Sequence, residues 1–437
     1  MRKVQIALIL VLLPCFLPRI RHFFVSGDLV DFGPYYTAAT IARAHQGIGI
    51  YNGADTGGDP QNVLAAPSTP FAETARRIGV LRPFLYLYPP TLADMLIPIT
   101  LFPFTTAGKI WTVINYATLP LISLLIIRLL KLKVMSWVSL TILIALFSFS
   151  PVLQCIAVGQ VSILLLLLWT CGIFCFTKGW HGAAGFAFAL AAAIKLTPAI
   201  VIVPLLLWKE WRVLWAMLFS WLGMAVTISL VNTPSSLTDY FGHVVPPMSR
   251  GVLAINNMSI SASVTRLYAA LLNQTISPAV VDHVPAVVVV LGKVCAAGIM
   301  GAAGLLIYNR RGGTKQLDDV MVLALFAMLS VCIAPVTWGH AYSTCFLTLS
   351  LLWADALRAR VSNVYLTMLL LCTVASTTYM NKYAYSSAGT HPVLAALVLS
   401  IAPVAGSVMV LSKLAAMRSA PDSTRYQLEP KLQPLPS

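Results

Sequence analysis

Long runs of apolar residues recur along the chain between short polar segments, and this pattern restricts the possible fold more than any other feature of the sequence. A run of about 20 apolar residues is long enough to cross the hydrocarbon core of a bilayer as an α-helix. The composition agrees, because 58% of the 437 residues are hydrophobic and only 10% are charged. Soluble domains carry about 25% charged residues. We therefore predict an all-α protein built as a polytopic transmembrane helical bundle.

Hydropathy predicts about twelve membrane spans. The first follows Met1-Arg2-Lys3 and extends to about residue 24; because it has no small-residue cleavage site, we interpret it as a helix rather than a signal peptide. The other spans are predicted near residues 88–104, 107–130, 134–152, 159–177, 182–207, 211–231, 284–308, 318–337, 339–355, 361–378 and 392–414. Together they form one predicted transmembrane domain over residues 1–414, and residues 415–437 are predicted to be a disordered cytoplasmic tail.

The distribution of basic residues predicts the orientation of these spans. With the N-terminus inside, most basic groups lie in the cytoplasm, as the positive-inside rule requires. These groups are at residues 209–212, 309–315 and 358–360 and in the C-terminal tail. The predicted outer segments are the loops 26–87 and 232–283, the Trp338-Gly339-His340 turn and residues 379–391. Lys131 and Lys133 also fall on the outer face, against the rule, so the predicted span count is weakest over residues 107–177.

The formal net charge of +15 and the eight cysteines do not indicate a nucleic-acid or metal site. Lys and Arg cluster at the ends of apolar runs rather than along one amphipathic face, so we attribute the charge to topology and to attraction to anionic lipid headgroups. The cysteines lie in apolar stretches, with no metal-ligand spacing except between Cys171 and Cys175, and are interpreted as core residues. We predict no nucleic-acid partner, no cofactor and no metal ligand; a metal requirement stays open.

Acidic residues are scarce, with 14 in the whole chain, and two of them directly follow the first span. Asp28 and Asp31 are therefore predicted at the membrane surface, where they are either candidate bases for chemistry on a lipid-linked molecule or part of a polar loop. Residues 35–44 are predicted to form a short amphipathic helix lying on the membrane, with Pro34 in its first turn. Asp94, inside the second predicted span, is either functional or an interfacial acid that reaches water or pairs with an arginine.

Two further polar positions stand out in the apolar segments. Lys195 lies within a predicted span, where a lysine is costly unless it meets an anion or lines a polar cavity. Lys195 either pairs with a carbonyl or an acid inside the bundle or contacts a substrate phosphate. Gln160, with Gly159, directly precedes another apolar run.

The outer loops contain a second group of candidate residues. Ser259, Ser263 and Arg266 are predicted to share one face of a short helix that follows Asn257. Small hydroxyls and a guanidinium suit a phosphate site, because arginine binds phosphate oxygens through two donors; a solvated surface helix is the alternative. His340, in the turn near residue 338, has either a structural role or a hydrogen bond to a phosphate or a sugar hydroxyl.

Six motifs, taken in order, resemble glycosyltransferase family 87, whose members are polytopic GT-C enzymes that include polyprenyl-phosphate-mannose-dependent mannosyltransferases of mycobacteria. The motifs are Asp31-Phe32-x-x-Tyr35-Tyr36-x-Ala38, Tyr88-Pro89-Pro90, Gly159-Gln160-Val161-Ser162, Ala193-Ile194-Lys195-Leu196-Thr197-Pro198, Asn257-Met258-Ser259 with Arg266-Leu267, and Pro335-Val336-Thr337-Trp338-Gly339-His340. The resemblance extends from about residue 1 to 350. Two positions depart from it: Met258 stands where many members carry Gln, and Ala341 where a second His often follows.

The resemblance implies a GT-C bundle with short amphipathic helices in its outer loops, located in the plasma (inner) membrane with its active site on the extracytoplasmic face. It implies transfer of a hexose, with mannose as the expected sugar, from a polyprenyl-phosphate sugar to a hydroxyl of a glycolipid, polysaccharide or protein, with inversion. Asp31 is the expected general base, and Asp28 is the alternate. The residues expected to bind the donor phosphate or sugar are Arg266, Lys195, His340, Asn257, Ser259, Tyr35, Tyr36 and Gln160.

Two other functional classes compete with this hypothesis. A membrane transporter or flippase for a lipid-linked sugar would also carry polar residues within the membrane, but transporters more often show paired internal repeats and matching broken helices. We find no such repeats in the sequence. A non-catalytic assembly protein would leave Asp31, Asp94 and Lys195 without a purpose. The transferase hypothesis is therefore preferred.

Overall fold

The computed structural model describes residues 29–44, 47–51, 68–233, 235–251, 257–272, 284–308, 316–358, 362–375 and 391–419. Within these ranges the secondary structure is helical, with no β-strand and one isolated bridge between Asn257 and Trp338. The all-α prediction is therefore confirmed. The first predicted span, Asp28, the loop at 379–390 and the tail after residue 419 lie outside the described residues.

Eighteen α-helices, several of them extended by short 3₁₀ or π turns, make up the described chain. The helices are α1 Phe32–Arg43, α2 Pro70–Arg77, α3 Pro90–Leu96, α4 Phe104–Leu129, α5 Trp137–Ser148, α6 Ser150–Val158, α7 Ser162–Thr177, α8 His181–Ile194, α9 Ile202–Leu207, α10 Trp211–Val231, α11 Ser235–Asp239, α12 Val245–Arg250, α13 Ile260–Leu271, α14 Ala286–Tyr308, α15 Gln316–Cys332, α16 Cys345–Arg358, α17 Asn363–Ala375 and α18 Pro392–Ser419. The 3₁₀ turns are Gly47–Ile50, Ile97–Leu101, Thr197–Val201 and Gly339–Thr344, and a π turn covers Tyr240–Val244.

Four described helices are long and apolar enough to cross a membrane. They are Phe104–Leu129, Trp211–Val231, Ala286–Tyr308 and Pro392–Met417. The consecutive helices α5 and α6 meet at a bend of 47° and count as a fifth candidate if they form one broken span. Shorter apolar helices make up much of the remaining bundle. The count of about twelve spans stays a prediction, and α18 continues past residue 414, where the disordered tail was predicted to begin.

The predicted span at 88–104 does not form a spanning helix. Helix α3 begins at Pro90, changes to a 3₁₀ turn at Ile97 and ends near Leu101. At 1.5 Å per residue an α-helix of this length would measure about 18 Å, well short of a hydrocarbon core of about 30 Å. Part of the hydropathy of this segment instead reflects burial, because Leu92, Leu96 and Ile99 belong to one apolar cluster with residues of α1.

The predicted span at 182–207 is divided into two short helical pieces. Helix α8 ends at Ile194, Lys195 is extended with φ −151° and ψ 131°, and a 3₁₀ turn begins at Thr197. Pro198 lacks a backbone N–H and its ring clashes with a continuing helix, which explains why the helix is interrupted here. The break places Lys195 between two helices rather than in the middle of one.

One hydrogen bond corrects the predicted topology around Lys131. The Arg358 guanidinium, at the end of α16, donates through Nη2 to the Leu130 carbonyl at 2.8 Å. Lys131 and Arg358 therefore lie at the same end of the bundle, whereas the predicted spans placed them on opposite faces. Seven spans are predicted between residues 131 and 358, and an odd number places these residues on opposite faces, so the error lies in the number of crossings counted between them.

Helix α1 is buried within the bundle, whereas the sequence predicted an amphipathic helix lying on the membrane over residues 35–44. Ten of its twelve residues are buried, including Tyr35, Ala38 and Ala39. Phe32 stacks on the rings of Phe104 and Trp111, with centroids 6.0 and 5.8 Å apart. The helix has apolar or small residues on every face, so it is stabilised by burial rather than by lying at an interface. Pro34 occupies the first turn, as predicted.

Helix α13 has the predicted start, but it is not a solvated surface helix. The Ser259 hydroxyl accepts a hydrogen bond from the Ala262 amide at 3.1 Å and so caps the helix. Arg266 is fully buried. The surface alternative for this helix is therefore wrong, and the helix belongs to the packed bundle.

Candidate functional site

The segment after α6 holds Asp31 in place. The Asp31 amide donates to the Val158 carbonyl at 2.8 Å, and the Trp111 indole donates to the Gly159 carbonyl at 2.9 Å. Gly159 ends α6 in the left-handed region, with φ 73°, and a Cβ at this position would lie 2.7 Å from Phe32 Cβ. Only glycine combines this φ with so close an approach at little cost. The turn therefore brings Gln160 next to Asp31.

The Gln160 side chain orients the Asp31 carboxylate. Its Nε2 donates to Asp31 Oδ2 at 3.0 Å. Its Oε1 accepts from the Tyr35 hydroxyl, from the Tyr88 hydroxyl at 2.8 Å and from the Val161 amide at 2.9 Å. Because three donors face Oε1, the amide can hold only one orientation, with its N–H groups directed at the carboxylate.

Burial changes the acidity of Asp31. Desolvation raises the pKa of this carboxyl to about 6, while the hydrogen bond from Gln160 and the positive charge of Lys195 act in the opposite direction. The carboxylate is therefore largely ionised at neutral pH and is a stronger base than an ordinary aspartate. Such a value suits a general base that operates near neutral pH.

Lys195 and His340 complete this group of side chains. The Lys195 ammonium lies 6.0 Å from the centroid of the Tyr88 ring, and its charge acts on both Asp31 and His340. His340 is 6% exposed, and its backbone carbonyl accepts a hydrogen bond from Cys155 Sγ at 3.2 Å. Among the described residues, His340 Nε2 is buried with no hydrogen-bond partner. A buried polar atom of this kind is free to bind a ligand.

We define the Asp31 cluster as Asp31, Tyr35, Tyr88, Gln160, Lys195 and His340. It combines a carboxylate, a cation and several hydrogen-bonding groups at a break in the helical bundle. Such a set can accept a proton from a hydroxyl and stabilise a nearby anion. In the described part of the chain, no three His, Cys, Asp or Glu side chains come together in a way that would hold a metal ion.

Asn257, Ser259 and Arg266 form a second group, with bonds internal to the protein. Arg266 donates through Nη1 to the Asn257 carbonyl and through Nη2 to Ser263 Oγ at 3.4 Å. Asn257 donates to the Pro335 carbonyl at 3.1 Å and accepts from the Thr337 amide at 2.8 Å. These bonds join α13 to the turn that leads to His340. A donor-binding role for Asn257, Ser259 and Arg266 stays a prediction.

Two other predicted residues lie apart from the cluster. The Tyr36 hydroxyl donates to the Phe102 carbonyl at 2.6 Å rather than to Gln160. Asp94 accepts a hydrogen bond from the Asn232 amide, so its observed partner is an amide rather than the arginine considered from the sequence. Asn232 follows α10, and nothing in its local sequence marked it as a partner of Asp94.

The cluster also includes a residue that was not selected from the sequence as a site residue. Tyr88 bonds to Gln160 and lies beneath Lys195. Its position in Tyr88-Pro89-Pro90 was the available signal, but the motif was interpreted as an entry to a span. In the folded protein its hydroxyl instead bonds to Gln160 in the polar site.

A comparison with known protein families finds a match. A family model described as "Glycosyltransferase family 87" matches residues 86–335, more than half of the chain. This range includes Tyr88, Gln160 and Lys195, begins after Asp31 and ends before His340.

One curated relative and one solved structure extend the comparison. The chain is 24% identical over 269 residues to the "Polyprenol-phosphate-mannose-dependent alpha-(1-2)-phosphatidylinositol pentamannoside mannosyltransferase" of Mycolicibacterium smegmatis (strain ATCC 700084 / mc(2)155). The match covers 59% of this chain and 58% of that protein, so the chain spans less than two thirds of the relative's length. The crystal structure of ArnT from Cupriavidus metallidurans bound to undecaprenyl phosphate is similar with a TM-score of 0.41 and 13% identity, covering 94% of this chain and 78% of ArnT.

Proposed function

Because the chain belongs to glycosyltransferase family 87, as its motifs predicted, we propose that it is a membrane enzyme that transfers a hexose from a polyprenyl-phosphate sugar to an acceptor hydroxyl. We propose mannose as the sugar, in line with the name of the mycobacterial relative. The observation that carries the proposal is the Asp31 carboxylate, held by Gln160 beside the Lys195 cation. The acceptor is a glycolipid, a polysaccharide or a protein.

The proposed reaction is a single displacement. The acceptor oxygen forms a bond to the anomeric carbon while the bond from that carbon to the phosphate oxygen breaks, and the lipid phosphate leaves with the electron pair. Asp31 takes the proton of the acceptor hydroxyl. Attack opposite to the leaving group inverts the anomeric configuration. A positioned base of this kind contributes about 10²–10⁴-fold to the rate.

Lys195 and His340 are proposed to act on the donor. The leaving phosphate gains negative charge as its bond to the sugar breaks, and a cation already in position stabilises that charge without reorganisation. Lys195 is the cation of the Asp31 cluster, and its charge acts on the Asp31 site. His340 Nε2 is available for a hydrogen bond to the sugar or the phosphate. Asp31 thus deprotonates the acceptor hydroxyl, and Lys195 stabilises the leaving phosphate.

We propose that the Asp31 cluster lies at the extracytoplasmic end of the bundle in the plasma membrane. Helix α4 begins at Phe104, beside Phe32, and ends before Lys131, beside Arg358. Its 26 residues separate the two ends by about 39 Å. Basic residues are concentrated on the cytoplasmic side of membrane proteins. The basic end is therefore assigned to the cytoplasm and the Asp31 end to the outer face.

The acidity of Asp31 predicts a pH dependence. Asp31 accepts a proton only as the carboxylate, so kcat/KM is expected to fall as the pH drops through about 6 and to level off above it. The measurement is initial sugar-transfer rates between about pH 5 and pH 8. Donor affinity measured over the same range separates chemistry from binding. A rate that stays constant across this range argues against a base with this pKa.

Gln160 is expected to act as a positioning residue. Gln160→Leu removes the donor to Asp31 and leaves the Tyr35 and Tyr88 hydroxyls without their acceptor, so kcat should fall by about tenfold, the loss for a hydrogen bond to a charged group of about 1.5 kcal/mol. Without the Gln160 donor, the pKa of Asp31 should also rise, so the fall in rate at low pH (the acidic limb of the pH profile) should begin at a higher pH. Gln154→Leu, in α6, is the matched control and should leave both quantities unchanged. A lower kcat with an unmoved pH limb would indicate a packing defect instead.

Direct product analysis tests the proposed function. Purified protein is incubated with polyprenyl-phosphate mannose, glucose or galactose and with candidate glycolipid acceptors, and products are identified by mass spectrometry. Transfer from the mannose donor, with an inverted anomeric centre by NMR, is the expected result. Movement of the donor across vesicles without any glycosylated product would instead identify a flippase and overturn the proposal.

A further inference from the structure

A cavity of about 240 Å³ lies apart from the Asp31 cluster. It is formed where α13 and α14 approach the end of α12 and the turn after α15. Most of its lining is apolar, but two cations, Arg250 and Lys293, and three hydroxyls also line it. None of the described residues that line it is acidic, and none belongs to the Asp31 cluster. The cavity therefore combines a positive charge with an apolar wall.

The two cations are free to meet a ligand. Arg250 ends α12, and Lys293 is the only charged residue of α14. Both side chains are exposed, and within the described ranges neither forms an ion pair. An arginine pairs phosphate oxygens with two donors, and a lysine adds a point charge. A phosphate group is therefore a ligand that suits both residues.

Lys293 lies two turns from the start of α14, a candidate membrane span. It is about 10 Å along α14 from Ala286, and a lysine near a helix end extends its side chain toward the interface. Gly292 allows α13 to approach closely, since a Cβ there would lie 3.1 Å from Ser261 Cα. The Ser261 hydroxyl donates to the Gly292 carbonyl at 3.2 Å. This close packing places Lys293 at the edge of the cavity.

The surface beside Lys293 is suited to a lipid chain. Val290, Leu291 and Val294 are 55%, 53% and 59% exposed, and α14 is long and apolar enough to cross a membrane. An apolar chain can therefore lie along α14 while its phosphate reaches the cavity. Arg266, which the sequence suggested for this purpose, is fully buried and donates to Asn257 and Ser263.

We infer that Arg250 and Lys293 bind the phosphate group of a membrane lipid whose chain lies along α14. The inference concerns a site that neither the sequence motifs nor the Asp31 cluster includes. The same phosphate chemistry is offered by a bilayer phospholipid and by a polyprenyl phosphate molecule bound apart from Lys195; the second identification rests on the proposed function. Pro335 lines the cavity, and its carbonyl accepts hydrogen bonds from Asn257 and Ser259, so the cavity adjoins the turn before His340.

The test measures lipid binding by the full-length protein, separately from sugar transfer. Detergent-purified protein is titrated with polyprenyl monophosphate, phosphatidylglycerol, inorganic phosphate and unphosphorylated polyprenol, and binding is measured by native mass spectrometry. The variants are Arg250→Gln, Lys293→Gln and the double variant. Loss of charge-assisted contacts should weaken lipid-phosphate binding by about 10- to 100-fold in the double variant. Lys109→Gln is the matched control, because Lys109 is an exposed lysine near the start of the spanning helix α4.

Each outcome decides the inference. Weaker binding of polyprenyl monophosphate alone supports the site and identifies the carrier, whereas equal weakening for phosphatidylglycerol supports it and identifies a bilayer phospholipid. The inference is overturned if the folded double variant keeps its affinity for both lipid phosphates. It is also overturned if the parent protein binds polyprenol or inorganic phosphate as tightly as the lipid phosphates. If the double variant does not fold, the single variants are compared in the same way. Asp31→Asn should retain lipid binding, so a failure of this site and a failure of the proposed reaction are distinguishable.

Discussion

Asp31→Asn is expected to lower kcat for sugar transfer by about 10²–10⁴-fold, with little change in the affinity for the lipid donor. Asparagine has nearly the shape of aspartate but cannot accept the proton of the acceptor hydroxyl. Burial and the Gln160 hydrogen bond favour a single side-chain position, so the substitution should change the chemistry more than the packing. Single-turnover transfer from radiolabelled donor, with donor binding measured in parallel, checks the prediction.

Asp28→Asn is the internal control for this assignment. Asp28 is the alternate base from the sequence and lies outside the described residues. If Asp31 is the base, Asp28→Asn should keep most of its activity and the same pH limb. The assignment is wrong if Asp31→Asn transfers sugar at the normal rate, and it passes to Asp28 if the two variants show the opposite pattern.

Lys195→Met is expected to lower kcat by about 10²–10³-fold, the usual cost of removing one preorganised group that stabilises charge in the transition state. Methionine keeps the apolar stem but not the ammonium. Loss of the positive charge should also raise the pKa of Asp31, because that charge now lowers it, and so move the pH limb upward. Rates as a function of pH, measured with saturating donor, report both effects.

A second lysine provides a close comparison. Lys178 lies over the Phe174 ring at 5.6 Å, much as Lys195 lies over Tyr88 at 6.0 Å, but outside the Asp31 cluster. Lys178→Met therefore removes a similar cation–π contact and should leave transfer unchanged. Lys195→Arg should recover part of the activity. Equal rates in Lys195→Met and the parent protein would remove Lys195 from the proposed mechanism.

Local sequence was sufficient for the class of protein and for its family. Apolar runs of spanning length exclude a soluble fold, and this information is contained in each segment by itself. The six ordered motifs identified the family because each is a short string of residue types. Short-range signals also predicted Pro34 in the first turn of α1 and Ser259 at the start of α13, since a cap depends on its immediate neighbours.

Hydropathy alone could not tell burial in protein from burial in lipid. Several apolar residues of 88–104 are buried in a cluster with α1, yet the segment has the hydropathy of a span. The same ambiguity affected α1, which is apolar enough to be buried but was predicted at the membrane surface. Both errors have one physical cause: an apolar side chain is stable in either environment, and only the position of the neighbouring helices decides between them.

What the sequence by itself determined was a helical membrane bundle of glycosyltransferase family 87 with a conspicuous acid at Asp31. The tertiary structure decided which groups act on that acid. Asp31 and Gln160 are 129 residues apart in sequence, and their contact depends on the turn at Gly159 packing against Phe32. Packing likewise turned Arg266 inward and left Arg250 and Lys293 beside a cavity. Residue type sets the chemistry a side chain can perform, but its partners and its exposure to water arise from contacts between distant segments.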